Sequence, residues 1–397
     1  MVTMGITSLP LSNLASQLGG FLLSGLVAVL CPALAQAEGS SAQEEMTYYF
    51  LKDVDYGSQS TFGPFQVILN SGFDILRSGS YPNSLTQIDF ATGFVNVWGN
   101  ILNPIDNIRA TQPWSDFVAH EIFPYKAFDP DHGHFVPNYF LHTIGEGMLF
   151  RQLTEHYHRE GNAYPRTTAL LTLFSAQLLN EIVENSGHRG PNVDPIADLL
   201  IFNPLGYLLF AFEGSAHFFS TYFQVTYWPG QATLSPTNLG LYNPGENFTF
   251  RIPFGSLPVG LFTYMGSEGL AGLSYKLNAV DRVQLAWGYR VVWLEDENAE
   301  NPDLDARMMR PIKPGNWLVG FFWDRNDSLM LSAMAGIKAE PTLRINLYPG
   351  IFDLGGWKLG AFVWTSRSEG LIAGLSFGNS PLGLGFQAGN DPSYEKL

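Results

Sequence analysis

The sequence predicts an α+β chain: an antiparallel β-barrel of the outer-membrane type, with roughly 10 to 12 strands, carrying a helical insert or plug of about three helices. Three observations predict it. All eight histidines of the 397 residues lie between His120 and His217, so metal-capable and titratable side chains gather in one segment. The residues after His217 fall into short alternating runs rich in glycine and aromatics. Charged residues are 14% of the chain and aromatics another 14%. Soluble domains typically carry ~25% charged residues, so this composition suits a surface that meets lipid.

Residues 1–37 read as a secretory signal peptide. FLLSGLVAVL at 21–30 is an apolar core too short to cross a bilayer as a helix, and A-x-A patterns follow it, with cleavage after Ala35 or Ala37. A basic n-region is missing, since the first charged residue is Glu38. Cleavage removes Cys31, the one cysteine, and with it any disulfide, thiol nucleophile or thiolate ligand. Export without disulfides fits a bacterial envelope, with the outer membrane as the expected location and the periplasm as the alternative. The net charge of −15 repels phosphates and speaks against nucleic acid. No uncharged run long enough for a transmembrane helix follows the signal, which leaves a barrel as the way to span and outer-membrane lipid as the partner.

Residues 38–60 are a polar, flexible N-terminal segment. The 61–134 region reads as strands, at 62–69 and 85–98, and then a long loop over 103–134. Residues 135–215 form a helical His/Glu/Asp module. Its first helix, 138–160, follows Pro137 and ends at Gly161. The second opens at Pro165, presents Leu170, Leu171, Phe174, Leu178, Ile182 and Val183 at helical spacing, and closes at Gly187. The third starts at Asp194-Pro195 and runs to Phe212, with a kink or break at Pro204 and close approach of a neighbour at Gly206.

Residues 216–390 are the barrel strands, at 217–228, 246–254, 259–266, 269–277, 283–293, 316–324, 329–337, 342–348, 356–364 and 370–378. In 283–293, Val283, Leu285, Trp287, Tyr289, Val291 and Trp293 share one side, opposite Gln284, Ala286, Gly288 and Arg290. A soluble β-sandwich or a periplasmic barrel alternates in the same way. The chain also ends DPSYEKL, past Phe386, rather than on an aromatic strand terminus.

The candidate chemistry lies in the module. His142 and Glu146, four apart, share a helix face framed by Leu149, Phe150 and Leu153. Glu181 and Glu184 sit amid Leu178, Leu179, Ile182 and Val183, and Asp198 lies in IADLLIF. A buried imidazole or carboxylate is tolerated only when paired, and pairing shifts its pKa. One histidine with two or three acids on facing helices suits an acid/base pair or a divalent-metal site, so the cofactor stays open. His132 and His134, beside Asp129 and Asp131, are a second metal candidate if their loop lets them converge. His156 and His158 suit a helix C-terminus, and His188, four after Glu184, is a possible addition to the site.

Each residue also has a structural reading. His142 with Glu146 is then a hydrogen-bonded pair, Glu181/Glu184 a buried acid with a solvated neighbour, Asp198 a tether, and Asn203-Pro204 with Gly206 a break and packing site. H-E-x-x-H and phosphate-binding glycine loops are missing from the sequence, which sets aside nucleotide binding and zincin proteolysis.

Asn138-Tyr139, His142, Gly145, Glu181, Glu184, Asp198-Leu199, Asn203-Pro204 and Gly206 together resemble the VanZ-like pattern. They also resemble a family of Gram-negative envelope proteins with an Asn-Tyr-x-x-His-x-x-Gly opening, a Glu-x-x-x-Glu helix and a "DL…NP.G" close. The chain departs from that pattern in spacing its acids by three and in carrying β-like segments where VanZ-like proteins have membrane helices. The resemblance implies a shared helical module of unsettled biochemical role. Two function classes follow. One is a non-enzymatic envelope or transport component. The other is a hydrolase or transferase on lipid or envelope glycan, with His142 as base or ligand, Glu181 orienting it or acting as acid, and Asp198 completing the site.

Overall fold

A computed structural model describes residues 46–78, 83–123, 136–290, 294–295, 308–309, 317–336, 342–366 and 370–389. The expected signal at 1–37, His132, His134, Val291, Trp293 and the 390–397 tail lie outside them.

The 61–134 region corrects the sequence reading. Where strands were expected, the chain forms helices Pro64–Ser71 (α1) and Phe90–Leu102 (α2). Short apolar runs fit either period, and the helix starts decide. Pro64 occupies the first turn of α1, where its fixed φ and missing N–H are harmless. The Asp89 carboxylate caps α2 by accepting the Thr92 N–H at 3.0 Å. The expected loop holds Pro104–Thr111 (α3), Trp114–Phe117 (α4) and a π-helical turn, Val118–Ile122.

The module has the three helical stretches expected. A π-helical run, Val136–Gly145, leads into Glu146–Arg159 (α5), and Pro165–Glu184 (α6) packs along it. Asp194–Ala197 (α7), a π-turn Asp198–Phe202 and Asn203–Ala211 (α8) make a continuous rod. Pro204 does not break it. The backbone stays right-handed helical at Phe202 and Asn203, and the widened π-turn just before the proline absorbs its missing donor. The buried face of α6 is rotated from the expected one. Leu171 is 61% exposed, while Ala169, Leu173, Ala176, Gln177 and Glu181 face inward beside Ile182 and Val183.

The first half of the 217–228 segment, expected as a strand, belongs to helix Glu213–Tyr222 (α9), which is followed by the two-residue strand Thr226–Tyr227 (β1). Thr233–Leu234 (β2) and Leu241–Tyr242 (β3) are equally short. The longer strands begin with Phe248–Pro253 (β4), Val259–Met265 (β5), Glu268–Lys276 (β6) and Asp281–Arg290 (β7). Leu294–Glu295 (β8) and Met308–Met309 (β9) pair apart from the main sheet. Then come Trp317–Arg325 (β10), Ser328–Gly336 (β11), Leu343–Leu354 (β12), Trp357–Ser366 (β13), Gly370–Phe377 (β14) and Ser380–Ala388 (β15). Apart from β8 and β9, the strands from β4 to β14 follow the expected positions, and β15 is an addition.

They form a 13-stranded sheet in the order β1-β4-β5-β6-β7-β10-β11-β12-β13-β14-β15-β2-β3. Every pairing is antiparallel except that of β15 with β2. The terminal members of the order, β1 and β3, do not pair with each other, so strand pairing does not close the sheet into a barrel.

The outer face of the sheet is apolar, while the inner side mixes polar groups with an aromatic cluster that includes Trp228, Phe262, Tyr264 and Phe322. In β7, Leu285 and Trp287 are each 60% exposed, whereas Gln284, Ala286, Gly288 and Arg290 are buried. Register carries one outward row across neighbouring strands: Leu261, Leu273, Leu285, Phe321, Ala333, Ile345, Val363, Ala373 and Phe386. The adjacent inward row is Gly260, Ser274, Gln284, Phe322, Ser332, Asn346, Phe362, Gly374 and Gly385.

Charges on the inner side are compensated. The buried Arg251 guanidinium lies 3.2 Å from Asp324 and 2.8 Å from Asp327, and Glu268 pairs with Arg344 and Arg77. The module packs on β1 and β4 through an apolar cluster that includes Phe150, Phe210, Tyr227 and Phe248. A Cβ at Gly145 would fall 2.5 Å from the Phe248 ring, so only glycine lets helix and strand meet there.

Candidate functional site

Two π-turns and two helices aim the module's polar side chains at one point. The run Val136–Gly145 carries His142, the turn Asp198–Phe202 carries Asp198, and α5 and α6 contribute Glu146, Glu181 and Glu184. Gly206 holds the rod against the first run, since a Cβ there would lie 2.3 Å from the Thr143 carbonyl oxygen. Asn138 fixes the start of that run by donating to the Glu121 backbone and side-chain oxygens, both at 3.1 Å. The Tyr139 hydroxyl donates to the Ile122 carbonyl. The residues of the His…Glu…Asp-Leu…Asn-Pro-x-Gly pattern therefore divide into those that shape the backbone and those that line the site.

His142, Glu146, Glu181, Glu184 and Asp198 all border one cavity of about 60 Å³. His142 is clamped. Its Nε2 lies 3.1 Å from Asp198 Oδ2 and its Nδ1 lies 3.0 Å from Asn203 Oδ1. Asp198 and Asn203 thus hold the ring at both nitrogens, and its charged form is the imidazolium. Burial works against that charge, but the Asp198 carboxylate outweighs it, and the His142 pKa is raised to about 9. A ring held in this way has no lone pair for a metal and no basic nitrogen for proton abstraction at neutral pH.

Glu146 is fully buried, and neither of its oxygens meets an N–H or hydroxyl donor. It faces Glu246 instead. Burial and that second carboxyl push its pKa well above the ordinary range. Burial also raises Glu246, while hydrogen bonds from Glu146 and Ser71 pull it back. Glu181 is raised well above the ordinary range by burial and by Asp194, Asp198 and Glu184, against a weak hydrogen bond from Asn185 Nδ2 at 3.4 Å. One carboxylate oxygen from each of Glu181, Glu184 and Asp194 lies within 4.8 Å of the others, a geometry that could hold a metal ion.

His156, His158 and His188 lie elsewhere. His158 Nδ1 is 2.9 Å from the Tyr48 hydroxyl, and His156 packs edge-on against Phe62. His188 is buried beside a separate groove lined by Asn96, Asn100 and Arg189. Glu155, on the same helix as Glu146, is structural. It accepts the backbone N–H groups of Tyr49, Phe50 and Leu51 at 3.0, 2.9 and 2.8 Å and the Arg151 Nε at 3.0 Å.

Asp74, Gln177, Asn180 and Glu246 line the cavity without having been singled out in the sequence. Glu246 lies in Asn243-Pro244-Gly245-Glu246-Asn247, a string that reads as a turn. It is held there because Asn70 Oδ1 accepts the Gly245 N–H and Asp74 Oδ1 accepts the Glu246 N–H, at 2.9 and 2.7 Å. No protein-family model, curated protein or solved structure matches the chain.

Proposed function

We propose that the chain is an exported bacterial envelope β-barrel of the outer-membrane type, with strands embedded in lipid and the helical module packed over one part of a polar interior, acting as a non-enzymatic envelope or transport component. The apolar outer face of the sheet carries this reading. A soluble sandwich turns its large apolar side chains inward, whereas a barrel in lipid turns them outward and keeps polar groups inside. The outward row from Leu261 to Phe386 holds no ionisable group, and the paired arginines and carboxylates lie on the other side.

Hydrogen bonds near the ends of the strand order support closure. Trp228 N–H donates to the Asn247 carbonyl and Gly230 N–H to the Gly245 carbonyl, both at 2.7 Å. They join the β1–β2 run to the β3–β4 run. A route from β15 through the β1–β2 and β3–β4 runs to β5 would remove sheet edges from lipid, and these bonds support that reading.

The enzymatic alternative, with His142, Glu181 and Asp198 acting on lipid or glycan, has less support. Small-molecule pockets run to roughly 300–1,000 Å³, and the cavity here is about 60 Å³. His142 is also spent on two acceptors.

The test is tryptophan quenching in liposomes of brominated lipid. Trp287 and Trp317, 60% and 49% exposed on the outer face, should be quenched by bromine placed on the acyl chains. Protein that stays monodisperse without detergent, with no acyl-chain quenching, would defeat the reading.

A further inference from the structure

We propose that the inner side of the sheet, where β4 to β7 meet their short turns, binds a phosphate ester through Arg251, Lys276 and Arg282. A pocket of about 450 Å³ lies there, bordered by the β4–β5 turn. In that turn the Leu257 N–H donates to the Phe254 carbonyl at 3.1 Å, and Gly255 takes a φ of +58°, which glycine adopts freely.

Register puts the three cations on one side. Arg251 is 2% exposed and lies opposite the buried Phe262. Lys276 lies opposite Arg282, two residues along from the inward pair Ser274 and Gln284, so the period of two keeps both on the inner face. Among the described residues, no carboxylate borders the pocket. Asp324 and Asp327, which pair with Arg251 and Arg282, are not in its walls. Lys276 is exposed and has no ion pair among the described residues. In a chain of net charge −15, a pocket bordered by three cations and no acid selects anions.

A second observation comes from Arg251 itself. Asp324, Asp327 and Thr226 take its two Nη groups, at 3.2, 2.8 and 3.0 Å, while its Nε–H has no acceptor. Leaving a buried guanidinium N–H unmatched is costly, and an oxyanion beside it removes that cost. Ser274, 6% exposed, adds a hydroxyl to the same wall.

The kind of anion follows from size and rim. Small-molecule sites run to roughly 300–1,000 Å³, and this pocket falls in that range, with more room than a bare phosphate fills. Ile252 and Leu257, 39% and 64% exposed, border it and offer apolar surface to the carbon part of an ester. Guanidinium as a fork and ammonium as a point charge both suit phosphate oxygens. A phospholipid head group and a soluble phosphate ester share this chemistry.

The experiment titrates the full chain, in neutral detergent at low salt, with inorganic phosphate, glycerophosphate and dioctanoyl phosphatidic acid by calorimetry. Dioctanoylglycerol is the uncharged blank. One ester per chain should bind, more weakly as salt rises. Lys276→Gln should weaken binding about tenfold, the size of one charge-assisted hydrogen bond, with Tm unchanged. Arg109→Gln, an exposed cation elsewhere, should leave binding as it was. Tightest binding of phosphatidic acid assigns the pocket to a lipid, and equal affinity for glycerophosphate assigns it to a soluble ester. No saturable heat from either ester, binding confined to inorganic phosphate, equal binding of dioctanoylglycerol, or unchanged affinity in Lys276→Gln would each overturn the proposal. Binding is read in detergent, so it stands or falls separately from the quenching by brominated lipid.

Discussion

The sheet and the helical module both bury carboxylates, but they neutralise them differently. Inside the sheet an acid meets a guanidinium, as Asp324 meets Arg251 and Glu268 meets Arg344. In the module, acid meets acid. Glu146 faces Glu246, and Glu181 is crowded by Glu184, Asp194 and Asp198, with the His142 ring as the basic group on the cavity wall. The difference separates two kinds of buried charge. The sheet's charges are complete without outside help and hold strands together. The crowded acids at the module cavity, Glu146 and Glu181, have their pKa values pushed well above the ordinary range instead.

The largest effect should come from unbalancing the sheet. Arg251→Met leaves Asp324, which is 0% exposed, without its main partner, and breaking such a pair costs about 3–5 kcal/mol. Denaturant titration of the refolded protein would measure it. A cost below about 1 kcal/mol would mean that the inner charges are hydrated like surface charges. Next is the outer face. Leu285→Arg should destabilise liposome-folded protein by about 2–4 kcal/mol. The same exposed position in water would tolerate arginine with little change, so urea midpoints in liposomes decide between the two settings.

Within the module, Glu155→Gln separates a satisfied acid from the crowded ones. It weakens the clamp on the Tyr49, Phe50 and Leu51 N–H groups and should cost about 1–3 kcal/mol by thermal or chemical melting. The smallest change should have the opposite sign. The Glu146 pKa is raised in the fold, so the native state holds a proton that the unfolded chain releases above about pH 4.5. Stability from this group is therefore greatest at low pH and is lost as pH rises above that point. Glu146→Gln removes the loss. Tm profiles should show the variant gaining on the parent by a few degrees as pH increases, and parallel profiles would refute the assignment.

How far the sequence could be read follows the same division. The strands from β4 to β14 were visible because period two survives whichever face is buried. Alternation alone does not say which face is outward, and only paired register with exposure fixed Leu285 out and Gln284 in. The helices α1 and α2 were misread because their decisive signals, Pro64 and the Asp89 cap, are single residues beside short apolar runs. Within the module, His142, Glu146, Glu181, Glu184 and Asp198 stood out as polar groups in apolar helices. The face of α6 was misjudged because the wall there buries Gln177 and Glu181 while leaving Leu171 exposed, against any ranking by hydrophobicity. Glu246 was invisible for another reason: a turn-like string gives no sign that Asn70 and Asp74 will hold it in the interior.

The parallel pairing of β15 with β2 sets a schedule for assembly. Gly383 and Leu384 must find Thr233 and Leu234, partners laid down much earlier in the chain, after every intervening hairpin has taken its place. Helical contacts are local and form fast, whereas pairings between distant segments bear the loop-closure entropy and form slowly. The module can therefore be built while β15 and β2 are still apart, and β15 is the last of the described strands to be synthesised.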